Sequence, residues 1–213
     1  MTNLPNLQPL SEKRPQDHAS RGPTTRVERQ PREQGKLVTV VPIPECAVYP
    51  SNASCKKIWA LMPREIRLQA AQHFFNPEEK TNSLLKSAVI ASIAKVRNSR
   101  EVSIRKGSRE QQENWLSANT LIPDEVADTL IRLYLLHDQL PMIEAFLDDL
   151  KIPHTHGLIE ESFDSAALSA EQLNQAAARL AETYGADPAS LYFAYTAGNT
   201  GDWAEAVRKI QLA

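Results

Sequence analysis

The amino-acid sequence predicts an all-α protein, with helical hairpins packed as an irregular bundle or a short right-handed array. Proline recurs where first helical turns begin, a position that suits its fixed φ angle: Pro63, Pro123 and Pro141. Apolar residues then recur at helical spacing, most clearly at Leu85, Val89, Ile93 and Val96. Because strand-like patterns are few and short, helices account for most of the chain.

Local capping signals place several helix ends. Ser108 with Gln111, and Ser169 with Gln172, have the spacing of capping boxes. Asn76 before Pro77 is the expected N-cap of the helix that carries Leu85 to Val96. Strand propensity is confined to 36–43 and 101–105, so we expect at most one minor strand pair there. The alternatives are that 37–43 adds to the sheet edge of a partner or packs in extended form against the helices of the domain, and the last is the default expectation.

Composition divides the chain into a tail and a folded part. Residues 1–35 hold few large apolar side chains among many prolines and charges, which predicts a disordered N-terminal tail. Residues 36–213 are expected to form a single helical domain, with a possible subdivision near 117–121. No run approaches the ~18 apolar residues of a membrane helix, and no secretory signal is visible, so a cytoplasmic location without membrane association is expected.

Charge is strongly segregated along the chain, although the formal net charge is only -2. Residues 56–109 carry +8, whereas residues 110–170 carry -10. Three explanations remain open: the two halves attract each other within or between chains, the basic half binds a polyanion, or both are solvated helix faces.

The densest basic part, 95–109, is the candidate site for nucleic acid or another polyanion. Its cationic residues are Lys95, Arg97, Arg100, Arg105, Lys106 and Arg109. Binding through such a cluster depends steeply on salt. No recognition-helix, zinc-finger or aromatic RNA-binding motif accompanies it, so sequence-specific recognition is not expected.

The sequence offers little to support catalysis or metal binding. Cys46 and Cys55 lack the spacing of a zinc or redox motif and are expected to be free thiols. His154 and His156, with Glu160 downstream, are a weak metal candidate, because Pro153 and Gly157 mark this segment as a turn. Phosphate-binding glycine loops and nucleophile elbows are missing.

These observations favour a small cytoplasmic helical interaction or adaptor protein that is not an enzyme and needs no cofactor. Its expected partner is another protein or a second copy of the chain. One alternative is a nucleic-acid-associated protein that binds through residues 95–109. A second alternative is a metal-dependent enzyme that uses His154 and His156.

Overall fold

A computed structural model describes residues 49–50, 53–79, 83–159 and 168–210. All of them belong to one compact unit, Ile43–Ala213. In this part of the chain 71% of the residues are helical, in ten helices accompanied by one two-stranded antiparallel sheet. The predicted all-α fold class is therefore confirmed. Residues 1–35, the predicted tail, lie outside the described ranges.

The elements follow one another with short connections. The first five helices are α1 (Cys55–Leu61), α2 (Arg64–Phe74), α3 (Ser83–Val96), α4 (Glu101–Arg105) and α5 (Arg109–Ala118). The next two are α6 (Asp124–Asp138) and α7 (Leu140–Asp149). Strands β1 (His154–Thr155) and β2 (Leu158–Ile159) precede α8 (Ala170–Tyr184), α9 (Ala186–Gly198) and α10 (Asp202–Val207).

The short-range signals define helix ends as expected. Both predicted capping boxes form. The Ser108 hydroxyl accepts a hydrogen bond from the Gln111 N–H, and the Gln111 side chain accepts one from the Ser108 N–H. Ser169 and Gln172 form the same reciprocal pair of hydrogen bonds. Gly185 ends α8 with a φ of 95°, a conformation that side chains with a Cβ rarely adopt. These ends depend only on neighbouring residues, which explains why the sequence predicts them.

Two local predictions are wrong. The α3 helix begins at Ser83 rather than after Asn76, because the Asn76 side chain instead accepts a hydrogen bond from the Glu78 N–H and forms a turn. Residues 101–105, predicted as one member of at most one minor strand pair, instead form α4, which buries Ile104 against the core. Their predicted partner, 36–43, lies outside the described residues.

The small sheet is a tight hairpin between α7 and α8. Thr155 pairs with Leu158, so His156 and Gly157 alone form the turn. Their φ angles of 49° and 73° are both positive, as a type I′ turn requires. The turn that Pro153 and Gly157 predicted is present, and the strands on either side of it were not anticipated.

Replacing Gly157 with alanine is expected to lower the free energy of unfolding by about 1–2 kcal/mol. The positive φ would strain the new residue, and its Cβ would lie 3.0 Å from Leu140 Cδ1 and 3.2 Å from Ile143 Cγ2. Urea unfolding followed by circular dichroism measures the loss. His156→Asn is the matched control, since asparagine tolerates this turn, and it should be neutral or slightly stabilising. Equal stabilities for Gly157→Ala and wild type would contradict the turn geometry.

One hydrophobic cluster joins the basic and acidic parts of the chain. The α2 helix packs against α5 and α6, and α1 packs against α6 and α9. The α8 helix packs mainly against α9, and α7 contacts α8 more than α6. Helices on both sides of 117–121 therefore contribute to the same core. The contact between the two charged halves is mainly apolar, and most of their charged side chains lie at the surface, with Arg67 and Glu113 as buried exceptions.

Candidate functional site

The basic segment 95–109 spans the end of α3, all of α4 and the start of α5, and its six cations are all exposed. Two of them are paired with carboxylates. Arg105 lies 3.7 Å from Glu101, and Arg109 donates to Glu113 at 2.5 Å and to the Gln72 carbonyl at 3.1 Å. Arg109 thereby ties α5 to α2, so part of the predicted site is structural.

The other four cations have no carboxylate partner among the described residues. They are Lys95, Arg97, Arg100 and Lys106. The Arg97 guanidinium lies over the Trp115 ring, 4.6 Å from its centroid, which is a favourable cation–π contact. Two apolar side chains in the same segment, Val96 and Val102, are 50% and 61% exposed. The resulting surface combines free positive charge with exposed aliphatic groups.

Few direct ion pairs join the basic and acidic halves in the described part of the chain, and only Arg109–Glu113 among them involves a lysine or arginine of 56–109. No lysine or arginine of 56–109 pairs with a described carboxylate later than Glu113. The other described ion pairs between the two halves involve histidine, from His73 to Asp138 and from His137 to Glu79. The segregated charge is therefore available to a molecule outside the chain.

Next to the basic segment, a groove of about 530 Å³ runs between α3 and the connection from α5 to α6. It is lined by Ala88, Ala91, Ser92 and Lys95 on one side and by Leu121, Ile122 and Pro123 on the other. Leu121 is 75% exposed, and Lys95 is the one charged residue among the described residues of the lining. An apolar groove with a positive rim is suited to a ligand that is apolar and acidic.

Asn119, which is buried, holds this groove in place. Its side chain donates to Ser92 Oγ at 3.1 Å and accepts from the Leu121 N–H at 2.9 Å, so it joins the two walls. Its backbone carbonyl accepts from Trp59 Nε1 at 2.8 Å, which anchors the connection to α1. The sequence marked 117–121 only as a possible boundary, because these contacts join residues far apart in the chain.

A stacked histidine pair was not predicted from the sequence. The rings of His73 and His137 lie 4.5 Å apart at 14°, each in the last turn of its helix. His73 Nε2 lies 2.8 Å from Asp138 Oδ2, and His137 Nε2 lies 2.7 Å from Glu79 Oε1. Each ring is thus held by a carboxylate, and the cluster links the ends of α2 and α6. Sequence showed only two histidines near helix ends.

The two histidines of the weak metal candidate have different partners. His154 Nε2 lies 3.2 Å from Asp148 Oδ1, whereas His156, at the turn and mostly exposed, is 3.9 Å from Glu144. No group of three His, Cys, Asp or Glu side chains suited to a metal ion occurs within the described ranges. Glu160, the third candidate ligand, lies outside those ranges, so the metal-site prediction remains a prediction.

Cys55 is a free thiol at the start of α1, and Cys46 lies outside the described residues. Burial, reinforced by the Asp128 carboxylate, raises the pKa of Cys55 to about 11. Its Sγ is 3.9 Å from Asp128 Oδ1, which also accepts from the Tyr195 hydroxyl at 3.0 Å. The thiol stays protonated at neutral pH, and a protonated thiol is a poor nucleophile.

In a Cys46→Ser variant, Cys55 is expected to react with iodoacetamide at least about tenfold more slowly than a free cysteine at about pH 8. The raised pKa keeps the Cys55 thiol protonated in the folded protein, so the alkylation rate should keep increasing as the pH rises toward 11. Mass spectrometry of the alkylated protein measures this rate. Urea-unfolded protein is the control and should react like free cysteine; a rate that levels off by about pH 9 in the folded protein would contradict the prediction.

No protein-family model, curated protein or solved structure matches the chain. None of the helices in the described ranges is long and apolar enough to cross a membrane.

Proposed function

We propose that the chain is a small, non-enzymatic adaptor of the cytoplasm that binds an acidic amphipathic segment of a partner protein. The observation that carries this proposal is the apolar groove between α3 and 121–123, with Lys95 at its rim. Helical segments commonly bind to such grooves through one apolar face. The proposed compartment agrees with the free thiol of Cys55, since free thiols are typical of reducing compartments.

The apolar lining of the groove and the cations beside it indicate which kind of partner segment it would bind. Leu121 and the small side chains Ala88 and Ala91 provide a shallow apolar floor on which a helix can approach closely. Lys95 and the nearby cations Arg97 and Arg100 have no described carboxylate partner, so acidic residues beside the apolar face of the partner would meet positive charge. A basic partner would be repelled by the same residues.

Two designed helical peptides test the proposal. Both have the same leucine face, which is flanked by glutamates in one and by lysines in the other. The glutamate peptide should bind saturably by fluorescence anisotropy, and at least about tenfold more tightly than the lysine peptide. Leu121→Asp and Ala91→Trp should each abolish this preference, since the first places a negative charge in the groove and the second fills it.

Leu61→Asp is the matched control, because Leu61 is also an exposed leucine, at 51%, and is not part of the groove. It should leave binding of the glutamate peptide unchanged. Equal affinity for both peptides, or full binding by Ala91→Trp, would refute the proposed function. Concentration-dependent dimerisation that Leu121→Asp removes would assign the groove to a second copy of the chain instead.

A second candidate function is binding of nucleic acid through 95–109, which the exposed and unpaired Lys95, Arg97, Arg100 and Lys106 favour. Exposed cations that do not pair with carboxylates are free to displace counterions from phosphates. The exposed Val96 and Val102 would then lie beside the nucleic acid without contributing charge. This arrangement supports recognition of the backbone, without base specificity.

For this candidate, the triple variant Arg100/Arg105/Lys106→Ala should weaken binding to a short DNA duplex and reduce the slope of log affinity against log salt by about 2–3. Electrophoretic mobility at several salt concentrations measures both effects. Lys56/Lys57/Arg64→Ala removes the same number of exposed positive charges from elsewhere in the basic half, and should have a smaller effect. Equal effects of the two triple variants would show that DNA is attracted by the overall positive charge and not by a site at 95–109. Absence of DNA binding at low salt would refute this candidate function.

A further inference from the structure

A second cavity lies in the acidic part of the chain, away from the groove on α3. This cleft of about 320 Å³ is formed by α6, α7, the β1–β2 hairpin, α9 and α10. Its volume falls within the range of ordinary small-molecule sites. None of its lining residues belongs to the α3 groove. Whatever the cleft binds is therefore independent of the proposed adaptor function.

The lining combines an apolar and aromatic wall with one cation. The apolar and aromatic wall includes Ile143, Ile159, Tyr192 and Trp203. Arg132 is the only charged side chain among the described lining residues, and it has no carboxylate partner in the described part of the chain. An unpaired arginine is unexpected here, because residues 110–170 carry a formal charge of -10.

The acidic group one helical turn from Arg132 is already engaged. Asp128, one helical turn before Arg132, accepts a 3.0 Å hydrogen bond from the Tyr195 hydroxyl and lies 3.9 Å from the Cys55 thiol. Burial and the Asp128 charge raise the pKa of Tyr195, and burial raises that of Tyr192 to about 12, so both phenols are neutral at physiological pH. No described lining residue therefore carries a negative charge that would repel an anion at Arg132.

We propose that this cleft binds a small amphipathic carboxylic acid, with its aliphatic or aromatic body against Trp203, Ile143 and Ile159 and its carboxylate on Arg132. The planar guanidinium offers two parallel N–H donors, which match the two oxygens of a carboxylate. The apolar wall removes the hydrocarbon part of the ligand from water, at about 25 cal/mol for each Å² buried. A ligand without charge would lose the arginine contact, and one without an apolar body would lose the wall.

Octanoate, 4-phenylbutyrate and uncharged 1-octanol are suitable probes, with binding measured by isothermal titration calorimetry and saturation-transfer NMR. At least one of the two acids should bind with one-to-one stoichiometry. Arg132→Gln should raise its Kd at least about tenfold and leave the weaker binding of 1-octanol unchanged. Because Arg132 is exposed and has no described partner, this variant should keep the wild-type circular dichroism and melting temperature.

Arg100→Gln is the matched control, since it removes an exposed arginine of the basic segment and should not change the affinity for either acid. Leu158→Asp gives a second test: this lining residue is 66% exposed, and an aspartate there should repel the acids without disturbing the core. The proposal is overturned if neither acid binds saturably, if Arg132→Gln binds both as well as wild type, or if Arg100→Gln weakens binding as much as Arg132→Gln.

Discussion

Replacing Arg67 with alanine is expected to reduce the free energy of unfolding by about 3–5 kcal/mol. Arg67 is only 8% exposed, and its guanidinium donates to the carbonyls of Ser117 at 2.8 Å and Met62 at 2.9 Å. Longer contacts, each of 3.4 Å, reach the carbonyls of Trp59 and Ala60 at the end of α1. Removing the side chain takes this donor from the buried carbonyls of Ser117 and Met62, and urea unfolding measures the cost.

The stabilisation by Arg67 depends on where its N–H donors lie as well as on its positive charge. Burial lowers the pKa of its guanidinium, but an arginine remains protonated at neutral pH. Arg67→Lys keeps the charge but cannot reach both helix ends, so we expect a loss of about 2 kcal/mol. Arg64→Ala, at an exposed position of the same helix, should change stability by less than about 0.5 kcal/mol. Similar stabilities for Arg64→Ala and Arg67→Ala would contradict this role.

Phe146→Ala is expected to cost a comparable amount, about 3–5 kcal/mol, through loss of apolar contacts and creation of a cavity. The Phe146 side chain is 1% exposed and has three aromatic neighbours among the described residues. Its ring centroid lies 5.1 Å from that of Phe193, 6.0 Å from that of Tyr192 and 6.0 Å from that of Trp203. Because Tyr192 and Trp203 also line the cleft, this substitution should weaken octanoate binding as well.

Phe146→Leu separates the size of the side chain from its aromatic character. It fills most of the same volume and should cost only about 1–1.5 kcal/mol, so a much larger loss would show that the aromatic contacts themselves matter. Tyr184→Ala, a truncation of an aromatic that is 39% exposed, is the surface control and should cost much less than Phe146→Ala. Urea unfolding of the three variants, followed by circular dichroism, gives the comparison. A loss below about 1 kcal/mol for Phe146→Ala would mean that the core does not depend on this ring.

The helical elements could be predicted because their signals are local. Capping boxes at Ser108 and Ser169 depend on residues three positions apart, and their geometry is the same in any tertiary context. The wrong predictions arose where two local structures compete. Asn76 can cap a helix or form a turn with the N–H two residues later, and the alternation at 101–105 is too short to exclude a helical turn.

The candidate sites were predictable only in part. The basic segment is continuous in sequence, so its position and exposure followed from counting charges. Counting charges did not show which of these cations have partners, because such contacts join distant parts of the chain. The contact from Arg109 to the Gln72 carbonyl, for example, joins residues 37 positions apart. The groove between α3 and Leu121, and the cleft at Arg132, each combine side chains from separate helices. Periodicity identifies a buried face, but it does not identify the helix that packs against it.

The sequence by itself determined the helical class, most helix starts and the separation of positive from negative charge, because each depends on residues close together in the chain. Tertiary structure alone decided that the charged halves meet through an apolar core and that Arg67 satisfies the carbonyls at the ends of two helices. It also decided that Arg132 lies beside a cleft with no carboxylate partner among the described residues. Those features depend on which helices pack together. Packing depends on side-chain shape and volume across long chain separations, which a linear pattern does not encode directly.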